Sequence, residues 1–368
     1  MTSTAHIHLD RLTHNMALLQ ELADGAQLWP AIKANAYGHG AEIVARHLCD
    51  VGFDTLSVAH TAEASALSDA GIDATFVLMS AMLPDEAAEI VRRGFEPAVC
   101  TLEMIEALAD EADNTGKPVF VHLMVDTGMG RVGIRTDKVG TVLKRCRALP
   151  MIRVKGLMSH FPRADEADKS YSIHQLADFN AVVAAAQDFT ISVRHMANSA
   201  AIFDVPGSAL EAARPGISIY GLAPSATIAN VRVQELQPVL EWKTRITFLK
   251  CVPPGMGLSY GHTFLTKRDS LIATIPVGYG DGLHRNLSNR MEVLVGGRRC
   301  PQIGRITMDQ SLIDVTDLGN EATLGDEVVI IGRQGSEEVT ADELAATLGT
   351  INYEVVTAIA ARVPRVVA

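Results

Sequence analysis

Val119-Phe120-Val121-His122-Leu123-Met124-Val125 is a β-prone run that breaks into Asp126-Thr127-Gly128-Met129-Gly130-Arg131. A strand that ends on two closely spaced glycines lets backbone approach a ligand, and an arginine there can donate paired hydrogen bonds to an anion. The same order of short apolar run, polar turn and helical periodicity recurs on both sides of it. Such runs fall at residues 28–34, 55–59, 75–79, 96–100, 119–125, 154–159, 192–197 and 213–220, with helix-like stretches at 41–50, 84–93, 101–112 and 169–188. Eight alternating units predict an α/β protein with an N-terminal (β/α)8 TIM-like barrel. An open doubly wound sheet is the alternative, weakened because no GxGxxG turn follows a strand.

Beyond residue 235 the texture changes. Runs at 243–252, 271–277, 291–295, 311–315 and 327–331 alternate or are β-branched, with Pro253-Pro254-Gly255 and Gly296-Gly297 as turn signals. These predict a mainly antiparallel β C-terminal domain. Thr340, with Glu343 three residues on, opens a capped helix over 340–348. The expected division is residues 1–235 for the barrel and 236–368 for the β-rich domain.

Bulk properties narrow the function. The 368 residues exceed one ordinary core, and 48% hydrophobic with 20% charged residues suits a globular protein. A net charge of −11 with no basic run excludes a nucleic-acid surface as the natural expectation. Cys49, Cys100, Cys146, Cys251 and Cys300 are scattered with no CxxC pair, so neither a disulfide framework nor a metal site is expected. Asp10, Arg11 and His14 stand where a signal peptide needs an apolar core, and no apolar run nears the roughly 18 residues of a membrane span. A cytoplasmic enzyme is the expectation.

In a parallel barrel, chemistry collects at the C-terminal strand ends. Lys33 ends the first run, Arg131 follows the fifth, His160 ends the sixth, Asn198-Ser199 the seventh, and Arg214-Pro215-Gly216 lies in the eighth. Singly, His160 reads as a satisfied buried histidine, Arg214 as an ion-pair partner and Ser199 as a helix cap. Five of eight strand ends carrying such groups outweigh those separate readings. Ser199 and the Gly216-Ile217 backbone sit on the late strands, where barrels hold phosphate. A phosphate-bearing cofactor beside a strand-end lysine points to pyridoxal 5'-phosphate.

These residues resemble the alanine racemase family of fold-type III pyridoxal-phosphate enzymes. Ala31-Ile32-Lys33-Ala34-Asn35-Ala36-Tyr37-Gly38-His39-Gly40 resembles its cofactor-lysine motif. Asp126–Arg131, Ser159-His160-Phe161, His195-Met196-Ala197-Asn198-Ser199 and Arg214-Pro215-Gly216-Ile217 follow in the family's order. So do Ser259-Tyr260-Gly261, Gly278–Gly282, Gly304–Gln310, Ile351-Asn352-Tyr353-Glu354 and Arg362-Val363-Pro364-Arg365. The resemblance implies a two-base racemisation of alanine, with D-alanine destined for peptidoglycan. Lys33 would hold the cofactor and serve one face of the substrate, and Tyr260 of the partner subunit the other, in a head-to-tail homodimer.

It further implies that Tyr37, Ser199, Gly216, Ile217 and Tyr353 bind phosphate, and that Asn198 and His160 also bind the cofactor. Arg131 would contact the cofactor's phenolic oxygen and the substrate carboxylate, which the Met308 N–H would also hold. Asp309 and Tyr279 would narrow the approach. Arg214 would face the pyridine nitrogen, and His160 with Arg214 would lower the tyrosine's pKa as neighbouring cations. His195 is expected to stand behind these groups. Decarboxylases of the fold carry a carboxylate in place of Arg214. Other readings are a racemase of serine or a larger amino acid, a fold-III decarboxylase, and a non-catalytic pyridoxal-phosphate-binding protein, usually a lone barrel.

Three positions depart from the family's habit. Met124 stands where many members have a carbamylated lysine that positions the arginine, so an anion such as chloride is expected to hold Arg131 here. Gly280 replaces the more usual alanine, and Thr307 a common cysteine.

Overall fold

The computed structural model describes residues 3–368, which form two compact units. One comprises Asp10–Ala36 and Ala41–Gln237; the other comprises residues 3–9, Tyr37–Gly40 and Pro238–Ala368.

The first unit is a parallel barrel. Its strands neighbour one another in the order Gln27–Leu28, Ala212–Ala213, Val193–His195, Ile152–Met158, Val119–Asp126, Glu96–Val99, Thr75–Leu78 and Thr55–Val58. A parallel bridge from Ala31 to Ser57 returns the last strand to the first, supported by Ile32 N–H to Ser57 O and Ser57 N–H to Pro30 O, both 2.9 Å. Helices follow the strands where the sequence supplies caps. Thr101 Oγ1 accepts from the Met104 N–H at 3.3 Å to open Leu102–Thr115, and Gly116 ends that helix at φ 68°.

Two of the expected barrel runs are shorter than their apolar composition suggests. The run at 213–220 contributes only Ala212–Ala213, because Pro215 lacks a donor and Ile217–Tyr220 winds into a 3-10 turn. The first run pairs at Gln27–Leu28, then Trp29 and Ala31 donate singly to Ala213 O and Pro215 O, both 2.8 Å. The Tyr220 hydroxyl donates to Ala31 O at 2.8 Å and ties these two irregular stretches together.

The second unit is a mostly antiparallel sheet. Its order is Phe248–Val252, Ser270–Ile275, Ser311–Asp314, Arg298–Ile303, Glu292–Val295, Glu327–Gln334, Leu240–Arg245, Ser3–Ile7 and Arg365–Val367. The run at 243–252 is two strands, turned at Ile246-Thr247. The division at residue 235 misses two pieces of this unit: Tyr37–Gly40, and Ser3–Ile7, which belongs to this sheet and not to the barrel. Ala5 and Ile7 are fully buried on one face, a period-two pattern that a sheet interior satisfies, with Ser3 opposite Thr244 and Ile7 opposite Leu240. The helix expected at 340–348 is Ala341–Leu348, capped by Thr340 accepting from the Glu343 N–H at 3.0 Å. No helix among the described residues is long and apolar enough to cross a membrane.

Candidate active site

Lys33 begins a turn that the sequence alone does not disclose. Ala34, Asn35, Ala36 and Tyr37 all take left-handed backbone angles, with φ between 52° and 55°. Each L-residue so placed costs about 1–2 kcal/mol, asparagine least. The turn is therefore held from outside. Glu63 accepts from the Ala34 N–H at 2.6 Å and from the Ala59 N–H at 2.8 Å. Ala36 N–H donates to Ile32 O at 2.8 Å, and Asn35 Oδ1 accepts from the Ala41 N–H at 2.8 Å.

Four charged or basic groups converge around that lysine. The Lys33 side chain is reachable by solvent, yet the protein mass around it desolvates the ammonium. That burial, with the charges of Arg131 and Arg214, lowers its pKa from the usual lysine range despite Glu63. His160 is pushed down to about 3 by burial and then by Arg214, Arg131 and Lys33. It is neutral at physiological pH. Arg214 Nη2 lies 3.4 Å from His160 Nδ1; as the guanidinium only donates, His160 carries its proton on Nε2.

Arg214 is 4% exposed and closely held. Its Nη2 donates to Ser159 O at 2.7 Å and Met196 O at 3.3 Å, and its Nη1 to His195 Nδ1 at 2.7 Å. Burial lowers its pKa to about 9, which leaves it a cation at neutral pH. Its Nε–H is buried and has no acceptor among the described residues. An orphan donor on a buried cation costs about 1–3 kcal/mol unless a ligand accepts from it.

Behind Arg214 runs a chain that sequence reasoning missed beyond His195. His195 Nε2 is 2.9 Å from His122 Nδ1, His122 Nε2 is 3.1 Å from Glu96 Oε2, and Lys155 Nζ reaches both Glu96 oxygens at 2.7 and 2.8 Å. Trp29 packs edge-on against both imidazoles, with centroids 5.6 Å from His122 and 4.8 Å from His195. Gly156 gives room for this contact, since a Cβ there would stand 2.3 Å from His122 Nδ1. A histidine inside the apolar run 119–125 was the one visible signal.

The Asp126–Arg131 loop is tied by hydrogen bonds. Asp126 Oδ1 accepts from the Gly128 and Gly130 N–H groups at 2.9 and 3.1 Å, and the Tyr171 hydroxyl donates to Gly128 O at 2.8 Å. Arg131 itself makes no hydrogen bond or ion pair among the described residues. Met124 is buried in an apolar cluster with Ala98 and Met158, flanked by Met79, Cys100 and Val132, and supplies it no polar support.

At the late strands, Ser199 opens the helix Ser199–Asp204, but the cap is Asn198, whose Oδ1 accepts from the Ala201 N–H at 3.0 Å. Asn198 Nδ2 also donates to Phe161 O at 3.3 Å, so this side chain fastens the loop. Ser199 Oγ accepts from the Gly216 N–H at 2.8 Å and the Ser218 N–H at 3.3 Å, leaving the serine O–H to donate elsewhere. The Gly216 N–H is thereby engaged within the protein. The Ile217 N–H has no acceptor among the described residues.

The remaining candidates lie in the other unit. Tyr37 and Tyr353 face each other with ring centroids 6.1 Å apart, and burial pushes the Tyr37 phenol up to about 12, keeping it a donor. Tyr260 stands in a sharp turn between Ser259 at φ 60° and Gly261 at φ 71°, with Ser259 Oγ donating to Arg305 O at 2.6 Å. Tyr260 is 70% exposed, Met308 53% and Tyr279 43%. Thr307 Oγ1 donates to Gln310 O at 2.8 Å and pins the turn that carries Met308. Thr307 O accepts from the Tyr279 N–H at 2.9 Å. Across the trans peptide the Met308 N–H therefore points away from Tyr279. Arg362, also missed, pairs with Asp281 at 2.7 Å and with Asp309 at 2.9 Å, and donates to Met308 O at 3.3 Å.

Comparison with known proteins adds to this geometry. The N-terminal domain of alanine racemases matches residues 7–224 and their C-terminal domain residues 239–367. The chain belongs to the alanine racemase family. It is an amino-acid racemase, an isomerase, by that membership. The alanine racemase of Halothermothrix orenii is 42% identical, with 98% of this chain and 95% of that protein aligned. That of Clostridium novyi is 39% identical over 98% and 94%. Among solved structures, alanine racemase of Clostridium difficile 630 superposes with a TM-score of 0.94 at 34% identity, covering 100% of this chain and 96% of that one. The alanine racemase of Bacillus anthracis with bound L-Ala-P gives 0.92 at 34% identity, covering 100% and 95%.

Proposed function

We propose that this chain interconverts L- and D-alanine using pyridoxal 5'-phosphate held through Lys33. The observation that carries the reading is the orphan Arg214 Nε–H: a buried donor, protonated at neutral pH, whose other nitrogens are engaged, as a pyridine nitrogen acceptor would require. The residues fit that cofactor further, through a desolvated lysine amine, the free Ser199 hydroxyl proton and the Ile217 N–H.

When bound, pyridoxal phosphate supplies the electron withdrawal that acidifies the amino acid's Cα–H. The lowered pKa of Lys33 fits it to hold the cofactor and to take or return a proton on one face. Tyr260 of the partner subunit serves the opposite face, and its exposure here, with that of Met308 and Tyr279, supports a head-to-tail dimer. Arg214 presents a donor that resists surrendering its proton, which disfavours full ring protonation and with it side reactions. His160, being neutral, acts as a hydrogen-bonding link. Arg131 takes the substrate carboxylate and the cofactor's phenolic oxygen, and the outward Met308 N–H takes the carboxylate as well; Asp309 and Tyr279 narrow the approach. Tyr37 and Tyr353, with Ser199 and Ile217, donate to phosphate; Gly216 and Asn198 hold Ser199 and its helix. The domains divide this labour, the barrel binding cofactor and the β-rich unit supplying the second base. The reaction takes place in the cytoplasm, and its D-alanine supplies peptidoglycan synthesis.

The test is incubation of purified protein with L-alanine, with and without added cofactor, followed by chiral chromatography, with L-serine and L-lysine in parallel. D-alanine appearing fastest, and none with Lys33→Ala, supports the reading. Faster serine or lysine turnover removes the named substrate, and no enantiomer from any of them removes the racemase mechanism.

A further inference from the structure

Arg214, His195, His122 and Glu96 form a hydrogen-bonded row whose direction is fixed at both ends. At one end a guanidinium can only donate, so His195 Nδ1, 2.7 Å from Arg214 Nη1, must accept. Burial and the Arg214 charge lower the His195 pKa well below the ordinary value, and burial lowers that of His122, so both rings are neutral and carry one proton each. The His195 proton is then on Nε2 and is donated to His122 Nδ1, which places the His122 proton on Nε2, donated to Glu96. At the other end, burial raises the Glu96 carboxyl, but hydrogen bonds from His122 and Lys155 outweigh this and hold it ionised.

We propose that Glu96 and His122 are positioning residues that lock the proton of His195 on Nε2, and thereby hold Arg214 in the one orientation that leaves its Nε–H free for the cofactor. The inference rests on the assignment of Arg214 to the pyridine nitrogen made above. The alternative sense of the row explains why an anion is needed at its foot. Were His122 to donate from Nδ1, His195 Nε2 would accept and its Nδ1 would carry the proton. Two N–H groups would then face each other across the 2.7 Å now spanned by a hydrogen bond. Removal of Glu96 makes this reversal accessible, because the buried His122 Nε2–H loses its acceptor. Neither Glu96 nor His122 need touch the cofactor.

The experiment uses wild-type holoenzyme and the variants Glu96→Leu, Glu96→Gln, His122→Phe and His122→Gln. Three quantities are read on each: retention of pyridoxal phosphate on dialysis, ¹⁵N shifts of the His195 ring, and partition between racemisation and transamination. In transamination the amino group of alanine passes to pyridoxal phosphate, leaving pyruvate and pyridoxamine phosphate, so pyruvate counts the events. Glu96→Leu and His122→Phe are expected to lose cofactor about tenfold to a hundredfold faster, the effect of one buried charge-assisted bond. They should also move the His195 proton off Nε2 and raise the pyruvate fraction. The two Gln variants, which can still accept and donate, should restore the tautomer and most of the partition. A wild-type protein that retains no cofactor would sink the functional reading itself. Wild-type binding with an unaltered His195 tautomer and partition in Glu96→Leu and His122→Phe would overturn the positioning role alone, as would Gln variants no better than the apolar ones.

Discussion

Replacing Glu63 with alanine isolates the strain stored beside Lys33. Four consecutive left-handed L-residues, Ala34 to Tyr37, carry roughly 4–8 kcal/mol of conformational cost at about 1–2 kcal/mol each. Glu63 opposes this through bonds of 2.6 and 2.8 Å to the Ala34 and Ala59 N–H groups, with a longer one of 3.2 Å to His60. A carboxylate bond to a backbone N–H contributes about 1.5–3 kcal/mol when buried, and less at this half-exposed position. Glu63→Ala should therefore weaken the turn by about 2–4 kcal/mol, equivalent to roughly thirtyfold to thousandfold faster local opening. Hydrogen exchange read by mass spectrometry on a peptide spanning residues 33–41 measures that opening without assuming two-state unfolding of two units. Ala34→Gly supplies the opposite sign: residue 34 is exposed, so glycine relieves a left-handed alanine at no loss of burial, and exchange should slow severalfold. Exchange within threefold of wild type in Glu63→Ala, or faster exchange in Ala34→Gly, would refute the claim that Glu63 restrains a strained turn.

The buried imidazoles predict an acid-labile barrel. His122, His160 and His195 all have folded pKa values below 6.5, so as pH falls through 6.5 the unfolded chain binds protons that the folded one excludes. Stability should be full near pH 7 and decline by up to about 1.4 kcal/mol per pH unit per imidazole below it, a fall that urea midpoints at pH 7.5 and 5.5 would show. A midpoint unchanged over that interval would mean these rings are protonated in the native state. Gly280→Ala tests the clamp on Met308. A Cβ there would stand 2.7 Å from Arg362 Nη2 and 3.0 Å from Met308 O, so the guanidinium must swing off the Met308-Asp309 turn. The loss of one or two part-exposed bonds should raise KM for alanine about two- to tenfold with kcat little changed; an unchanged KM would show that Arg362 does not set the turn.

Much of the scaffold was legible because its signals are local. The helix Ala41–Asp50 and those capped by Thr101 and Thr340 declare themselves in period and cap residues within a few positions. The strand-end residues Lys33, His160 and Arg214 were legible as members of a repeated pattern, though each is ambiguous alone. What escaped is what depends on distant partners. Glu96 and His122 are 26 positions apart, and His122 and His195 are 73 apart, so nothing near any of them announces a row. The left-handed turn after Lys33 runs against the intrinsic preference of three of its four residues, and part of what holds it is Glu63, far along the chain. Pro215 is a different case, a local signal whose missing donor shortened an apolar run that composition alone extends to Tyr220.

The strand Ser3–Ile7, lying between Leu240–Arg245 and Arg365–Val367, gives the protein a timetable as it leaves the ribosome. Its first neighbour, Thr244 opposite Ser3, is translated 241 residues after it. At about 5–20 residues per second that is a wait of roughly 12–50 s. Its second neighbour, Arg365–Val367, is translated later still. The barrel can close in the meantime, because its strands need nothing translated beyond Gln237. During that interval the nascent amino-terminal strand has two open edges and an apolar face, the very features that chaperones bind and that invite pairing with another chain. The sheet is thus sealed after the barrel, when Ser3–Ile7 finds both its neighbours.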